Sequence, residues 1–325
     1  MGSTLGQAVF LRFARAYRRL PHFRGKVRAL LALYRAFGLQ GRHIVLETDL
    51  WRPARYRARL DLHSWLERVA FFSGGYEEET VRFLMRLLPD GGYLLDVGAN
   101  VGLITVPFLA LSKRSLGAGG AKDLAPKVVA VEAVRANWMT LVHNIRLNGF
   151  ELDARALCVA LGDSHRTVEI QVEGNLKEGE GTGTANIIAA DSTYQCERIP
   201  LSLTTVDRLL DSGDLPRNCG VVKLDTDGFD FFVLKGAETL LREVRPVIFG
   251  EFAAHCLAWH HHDVQQVSAF AAERGYVTWR RVSPDGWRFA PLRDSESYVQ
   301  DLLLVPKEQL ERVNWCKAEG ANPSR

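Results

Sequence analysis

The sequence predicts an α/β fold with a doubly wound, seven-stranded sheet, a β-hairpin insertion and an N-terminal helical appendage. Three observations carry that reading. The run Leu95-Asp96-Val97-Gly98-Ala99-Asn100-Val101-Gly102 ends an apolar strand in a glycine-bearing turn. Strand and helix patterns then alternate: strands at 93–97, 127–132 and 154–161, with helices at 103–111 and 136–147 between them. The final apolar runs, 276–281 and 298–305, close the sheet as a terminal antiparallel pair.

Other segments fit this frame. Residues 8–39 read as helix, with Val27, Leu30, Leu31, Tyr34 and Phe37 on one face and Pro21 dividing the stretch in two. Residues 43–63 read as a short β-rich segment and 77–88 as a helix. After Gly162 the alternation breaks. Strands at 167–173 and 199–204 flank the polar, glycine-rich stretch 174–183, a hairpin where a helix is expected. It then resumes with strands at 221–224 and 246–249 and helices at 231–241 and 264–274. The expected organisation is a basic helical region at 1–60, a main domain at 61–307 with its insertion at about 164–205, and a tail at 308–325.

Composition narrows the class. The 325 residues are 47% hydrophobic and 24% charged, as in a globular protein, and enough for one core plus an appendage. There is no apolar run of the ~18 residues a membrane span needs and no secretory pattern. The five cysteines form no CxxC pair, which disfavours a zinc knuckle or disulfide framework and fits a reducing cytoplasm. Residues 1–60 hold 13 Lys/Arg against Glu47 and Asp49 alone, whereas the remainder holds 28 basic and 36 acidic residues. The basic segment admits packing on the main domain, on a partner or second copy, or peripheral contact with an anionic membrane.

The Asp96–Gly102 turn suits a ligand laid against backbone at a strand's carboxyl end. Its spacing departs from the dinucleotide G-x-G-x-x-G pattern, since Asn100 and Leu103 stand two and five residues after Gly98. Glu132 ends the next strand, placed to accept from a ribose diol. Together these residues point to S-adenosylmethionine (SAM), with Asp96 pairing with its ammonium group or orienting the turn. Asp163, after Ala160-Leu161-Gly162, stands where an adenine amine or a plain turn would use it.

Further carboxylates reach the same sheet edge. Val222-Lys223-Leu224-Asp225 delivers Asp225, with Asp227 two residues on, and Val247–Gly250 delivers Glu251, with His255 just beyond. An alcohol is a poor nucleophile until its proton is accepted, so Asp225, Asp227, Glu251 and His255 are the candidate bases. A divalent metal is an alternative but not favoured. Asp225 and Asp227 would equally serve to cap the helix that follows. The triplet His260-His261-His262 makes a poor metal site, because adjacent helix residues do not face each other, and reads as an exposed helix start.

With these residues in hand, the sequence resembles the FkbM family of methyltransferases from about Gly75 to Glu251, and more weakly to Val305. Gly75-Tyr76-Glu77 looks like its G-x-YE segment, which adds Glu77 to the cofactor candidates. Asp96–Gly102 looks like its DVGANxG, and Glu132, Asn144 and Asn148 fit its acidic strand end and asparagine-bearing helix. Leu203–Leu209 is similar to its T-x-D-x-L stretch and Lys223–Gly228 to its K-x-D-x-EG, with Asp227 standing where the family has Glu. Lys235-Gly236-Ala237 and Arg245-Pro246 also fit. The resemblance implies a class I SAM-methyltransferase (Rossmann-like) fold and O-methylation of a sugar, glycan or natural-product hydroxyl. The insertion and the N-terminal region would shape the acceptor pocket, with Thr184-Ala185-Asn186 as contacts. The alternative is a non-catalytic SAM-binding scaffold recruiting glycan-assembly enzymes. Nucleic acid is not an expected partner: the Asn/Asp-Pro-Pro-aromatic signature is absent, and the arginines sit on an apolar-faced helix rather than among stacking aromatics.

Overall fold

The computed structural model describes residues 4–21, 23–115, 127–172, 185–186, 197–283, 286–293 and 301–318. Two helices lead the chain, α1 (Thr4–Tyr17) and α2 (Lys26–Ala36). A hairpin follows, β1 (Val45–Leu50) on β2 (Tyr56–Asp61), with Val45 opposite Asp61. Ser64 caps α3 (Trp65–Ser73), which stops at Gly74. The sequence reading contains no helix there, because Val69-Ala70-Phe71-Phe72 is a continuous apolar run rather than a spaced stripe. Next come α4 (Glu78–Leu87), β3 (Tyr93–Val97), α5 (Thr105–Ser115), β4 (Val128–Glu132), α6 (Arg135–Leu147) and β5 (Ala154–Cys158).

Here the structure departs from the expected strand 154–161. The chain leaves the main sheet after β5, and β6 (Ala160–Leu161) joins a second sheet with β7 (Arg166–Val172), β8 (Ala185–Asn186) and β9 (Glu197–Thr204). β7 and β9 form the expected antiparallel hairpin, with Arg166 opposite Leu203. Thr184 and most of the intervening loop lie outside the described residues.

The remaining elements are α7 (Val206–Asp211), β10 (Cys219–Leu224), α8 (Asp230–Lys235), β11 (Val247–Glu251), α9 (Ala254–Ala258), α10 (Val264–Glu273), β12 (Tyr276–Arg281), β13 (Phe289–Pro291), β14 (Asp301–Pro306) and α11 (Leu310–Val313). The helix expected over 231–241 is broken at Gly236 and resumes in the π-helical turn Leu240–Val244. A Cβ on Gly236 would lie 1.9 Å from the Gly162 carbonyl, so the helix can cross the second sheet only at a glycine.

The main sheet has the order β13-β12-β14-β11-β10-β3-β4-β5. β3, β4, β5, β10 and β11 are parallel, and β14 enters antiparallel between β11 and β12. The sheet has eight strands rather than seven, because β13 adds a short edge. Every residue of β3, β4 and β10 is buried, as parallel strands covered on both faces require. One face packs against α1–α6 through Phe72, Leu84, Phe108 and Leu141, the other against α7–α10 through Leu210, Phe231, Leu257 and Val267. Each such side chain contributes about 1.5–3 kcal/mol by leaving water.

The N-terminal region shares the first of these cores. Phe10 meets Tyr34 and Phe72 edge to face, with ring centroids 5.6 and 6.1 Å apart. Arg18 is buried, donating to the Phe71 carbonyl and Thr48 Oγ1 at 2.9 Å each, with its guanidinium 4.4 Å above the Phe71 ring. Asn144 of α6 and Asn148 at its C-cap fasten the hairpin to the body of the fold. The Asn144 amide accepts from Arg59 N at 2.7 Å and donates to Val101 O at 2.9 Å. Asn148 accepts from Arg57 N and donates to Arg57 O, both at 2.8 Å. Four helical residues rise about 6 Å and two strand residues about 6.6 Å, so an i,i+4 pair matches alternate residues of the β2 edge. Among the described residues, no helix is long and apolar enough to cross a membrane.

Candidate active site

β3 and β10 run side by side and end at the same edge. At the end of β3, Gly98 has φ +78°, and a Cβ on it would lie 1.9 Å from the Asp225 carbonyl. Only glycine allows both the backbone angle and that approach. The Gly98 and Ala99 N–H groups both donate to Val131 O at 3.0 Å, tying the turn to β4. Glu132 then braces it: one carboxylate oxygen accepts from Asn100 N at 2.9 Å, the other from Val134 N at 2.8 Å. Gly102, at φ +89°, leaves room for Leu141, which a Cβ would approach to 2.8 Å.

Asp96 is fully buried beneath the turn. It accepts from Thr105 Oγ1 at 2.6 Å and faces Lys223 Nζ at 3.4 Å. These contacts tie the end of β3 to α5 and β10. Lys223 stands at the centre of the site. Its ammonium lies 3.1 Å from Asp225 and donates to Gly98 O at 3.3 Å. Burial alone would push this lysine down, but Asp225 and Asp96 outweigh it and hold the ammonium charged, above its usual range.

A cleft of about 380 Å³ opens over the turn, within the range of small-molecule sites. Gly98, Asn100, Glu132, Asp225 and Asp227 line it, as do Glu77 and Glu251. A second cavity, of about 500 Å³, lies beside it and adds Arg52, Arg281, Trp287 and Asp301. Glu77, Lys223, Asp225 and Glu251 belong to both. Among the described residues, three of the five non-glycine residues with positive φ, Glu77, Asn100 and Asp227, line the first cleft. Such angles cost free energy for L-residues and collect at functional sites.

The carboxylates of this wall are poised differently. Burial pushes the Glu77 carboxyl up and Asp225 adds to that, while Lys223 opposes it. Burial, reinforced by Asp225, Asp230 and Glu251, pushes Asp227 up to about 7. Asp230 is fully buried and holds the loop, accepting from Thr226 N at 2.9 Å and Gly228 N at 3.1 Å. The capping considered for Asp225 and Asp227 is not seen: α8 has Phe229 at its N-cap with no side-chain cap, and Asp230 bonds back to the residues before it.

Two expected residues sit elsewhere. Asp163 pairs with Arg166 at 3.0 Å and lines neither cavity, although Ala160 and Leu161 line the cleft. His255 also lines neither cavity; its ring meets Trp259 edge-on, and its Nε2 lies 3.3 Å from Cys256 Sγ. The histidine triplet forms the turn before α10, not its start. His260 packs on Phe229 and Phe232, and His262 on Phe231 and Phe232. Among the described residues, no group of three or more His, Cys, Asp or Glu is placed to hold a metal ion.

Lys223, Tyr76 and Asn137 line the cleft without having been singled out as site residues in the sequence. The signal for Lys223 was available: a lysine inside the apolar strand Val221-Val222-Lys223-Leu224 must be paired to be buried.

A doubly wound sheet of this order, with a glycine turn after one central strand and a carboxylate ending the next, defines the class I SAM-dependent methyltransferase fold. A family model described as the methyltransferase FkbM domain matches residues 96–278, more than half of the chain, and the chain belongs to the FkbM methyltransferase family. No curated protein matches it. Among solved structures it is similar to a methyltransferase FkbM from Methylobacillus flagellatus KT, at 14% identity and a TM-score of 0.42 over 92% of this chain. The chain spans 59% of the length of that structure. It is also similar to M. jannaschii TYW2 in complex with AdoMet, at 13% identity and TM-score 0.36, over 79% of this chain and 84% of that one. A third is precorrin-6y C5,15-methyltransferase from Geobacter metallireducens GS-15, at 12% identity and TM-score 0.36, over 70% of this chain and 87% of that one.

The donor set fits SAM. Glu132 uses one lone pair on each oxygen for backbone N–H groups and retains others for a ribose diol. The cleft carries Glu77, Glu132, Asp225, Asp227 and Glu251 against one cation, Lys223, which suits a ligand bearing a sulfonium and an ammonium group.

Proposed function

We propose that the chain is a SAM-dependent O-methyltransferase acting on a hydroxyl of a sugar, glycan or natural-product acceptor. The carrying observation is the wall shared by two cavities: Glu77, Lys223, Asp225 and Glu251 face both the turn-side cleft and its polar neighbour. The first cleft holds the cofactor through Gly98, Asn100 and Glu132, and the second takes the acceptor. When bound, SAM supplies an electrophilic methyl group, and transfer forms a C–O bond as the C–S bond breaks and a thioether leaves. The chain's own task is to take the hydroxyl proton. Asp227 is the strongest candidate: it lines the turn-side cleft, into which the acceptor hydroxyl must reach to meet the methyl group, and a carboxyl pushed up to about 7 is a base matched to neutral pH. Lys223 pairs with Asp225 beside it and fixes the wall against the turn. Trp287 and the carboxylates of the second cavity offer an apolar surface with hydrogen-bond acceptors around it, as a polyhydroxylated acceptor requires.

The test is a methyl-transfer screen over sugar nucleotides, lipid-linked glycans and small hydroxylated metabolites. Turnover should rise with pH through about 7 as Asp227 ionises. Asp227→Asn should lower kcat by roughly 10²–10⁴-fold while SAM titrates as before. SAM binding without turnover of any acceptor supports the scaffold alternative. Absent SAM binding, or binding that survives Gly98→Arg, overturns both.

A further inference from the structure

The N-terminal helices carry an outward surface that the rest of the described chain leaves uncovered. α1 is apolar on two faces about 100° apart around its axis. Phe10 and Ala14 face inward and are fully buried, and Arg18 just beyond anchors the helix to the body. On the other face Leu5, Val9 and Phe13 recur every fourth residue, exposed at 72, 50 and 45%. Leu20, Phe23 and Phe37 are exposed as well, and the Phe13, Tyr17 and Phe23 rings run together at 5.4 and 6.1 Å. Of the twelve large apolar side chains exposed among the described residues, six lie between Leu5 and Phe37. A concentration of that kind marks an interaction surface.

Its rim decides the partner. Arg12, Arg15, Arg19, Arg24, Arg28 and Arg35 are all exposed on these two helices and the turn between them, and no acidic residue occurs before Glu47. A second copy seated on this face would bring arginines against arginines, and like-charge juxtaposition opposes association. An anionic bilayer answers both features: its acyl boundary accepts the apolar row and its phosphates accept the guanidiniums. At about 1.5 Å per residue the fourteen residues of α1 extend only ~21 Å, so the helix lies on the membrane rather than spanning it. We propose that α1 and α2 dock the protein on an anionic lipid surface, with Leu5, Val9, Phe13 and Phe23 inserted at the headgroup boundary.

Docking of this face involves no methyl transfer, so vesicle binding by the full chain tests it directly. The chain should float with phosphatidylcholine vesicles containing phosphatidylglycerol at least about tenfold more than with phosphatidylcholine alone, as several arginines near a charged surface imply. Val9→Asp with Phe13→Asp should abolish flotation, and Arg12→Glu with Arg15→Glu and Arg19→Glu should remove the preference for phosphatidylglycerol. All five side chains are exposed, so both variants should keep the parent's melting temperature. Equal flotation with both vesicles, or none with either, overturns the proposal. So does a dimer on size-exclusion chromatography that Val9→Asp with Phe13→Asp dissociates, because the face then belongs to a second copy.

Discussion

The turn at Gly98 and the wall at Asp225 stand against each other at one sheet edge, yet they are built in opposite ways. The turn comes from one short run, Asp96 to Gly102, whose hydrogen bonds go to the adjacent strand. The wall draws on the start of α4, the ends of β10 and β11, and side chains as distant as Asp301. Local construction makes the first rigid and readable. Distant construction leaves the second dependent on the whole sheet, with Lys223 joining the two.

Breaking the joint should have the largest effect. Lys223→Met leaves Asp96 buried without its counter-charge and frees Asp225 from the turn, so a loss of about 3–5 kcal/mol is expected. Urea unfolding measures it, and a loss below 1 kcal/mol would show that the ammonium is not what holds turn and wall together. Gly98→Ala attacks the turn alone. Its Cβ would collide with the Asp225 carbonyl, and we expect about 3 kcal/mol of destabilisation together with lost SAM binding. Gly149 also has positive φ, at +69°, but nothing lies within 4 Å of its Cβ position. Gly149→Ala should therefore cost only about 1 kcal/mol, and equal losses at the two sites would refute the close-approach explanation.

The wall is sharpened by pH. Asp227 has its carboxyl raised from 3.8 to about 7, so the folded state favours the protonated form. The associated stability is complete below 3.8 and is lost as pH rises through about 7. Asp227→Asn tolerates the same left-handed backbone. It should leave the melting temperature unchanged in acid and raise it above neutral pH; a uniform shift would assign the effect to something other than ionisation. The smallest effects are expected at Asp163 and His255, which lie outside both cavities and away from the turn. Asp163→Ala breaks an exposed ion pair worth at most about 1 kcal/mol, and neither it nor His255→Ala should change SAM affinity by more than roughly twofold. A tenfold loss at either would bring that residue back into the site.

Much of the sheet was legible because buried parallel strands read as apolar runs separated by helical stripes. β5 was read too long because Val159 continues the apolar pattern while the chain moves to another sheet. α3 was missed because a helix buried on several sides loses its stripe. Within the site, Glu77, Gly98, Asn100, Glu132, Asp225, Asp227 and Glu251 do share one cleft. Asp163 and His255 belong to the same chain neighbourhoods but point elsewhere, and a strand's end does not fix where the residues beyond it turn.

The sequence by itself determined the α/β frame, the cofactor turn and the acidic strand ends, because each follows from residues adjacent in the chain. Only the tertiary structure decided that Lys223 would neutralise Asp96 and Asp225, that Asn144 and Asn148 would pair with alternate residues of β2, and that α1 would bury one apolar side and leave the other bare. These are facts about which surfaces meet. Burial and pairing energies depend on distance in space, and separation along the chain does not encode it.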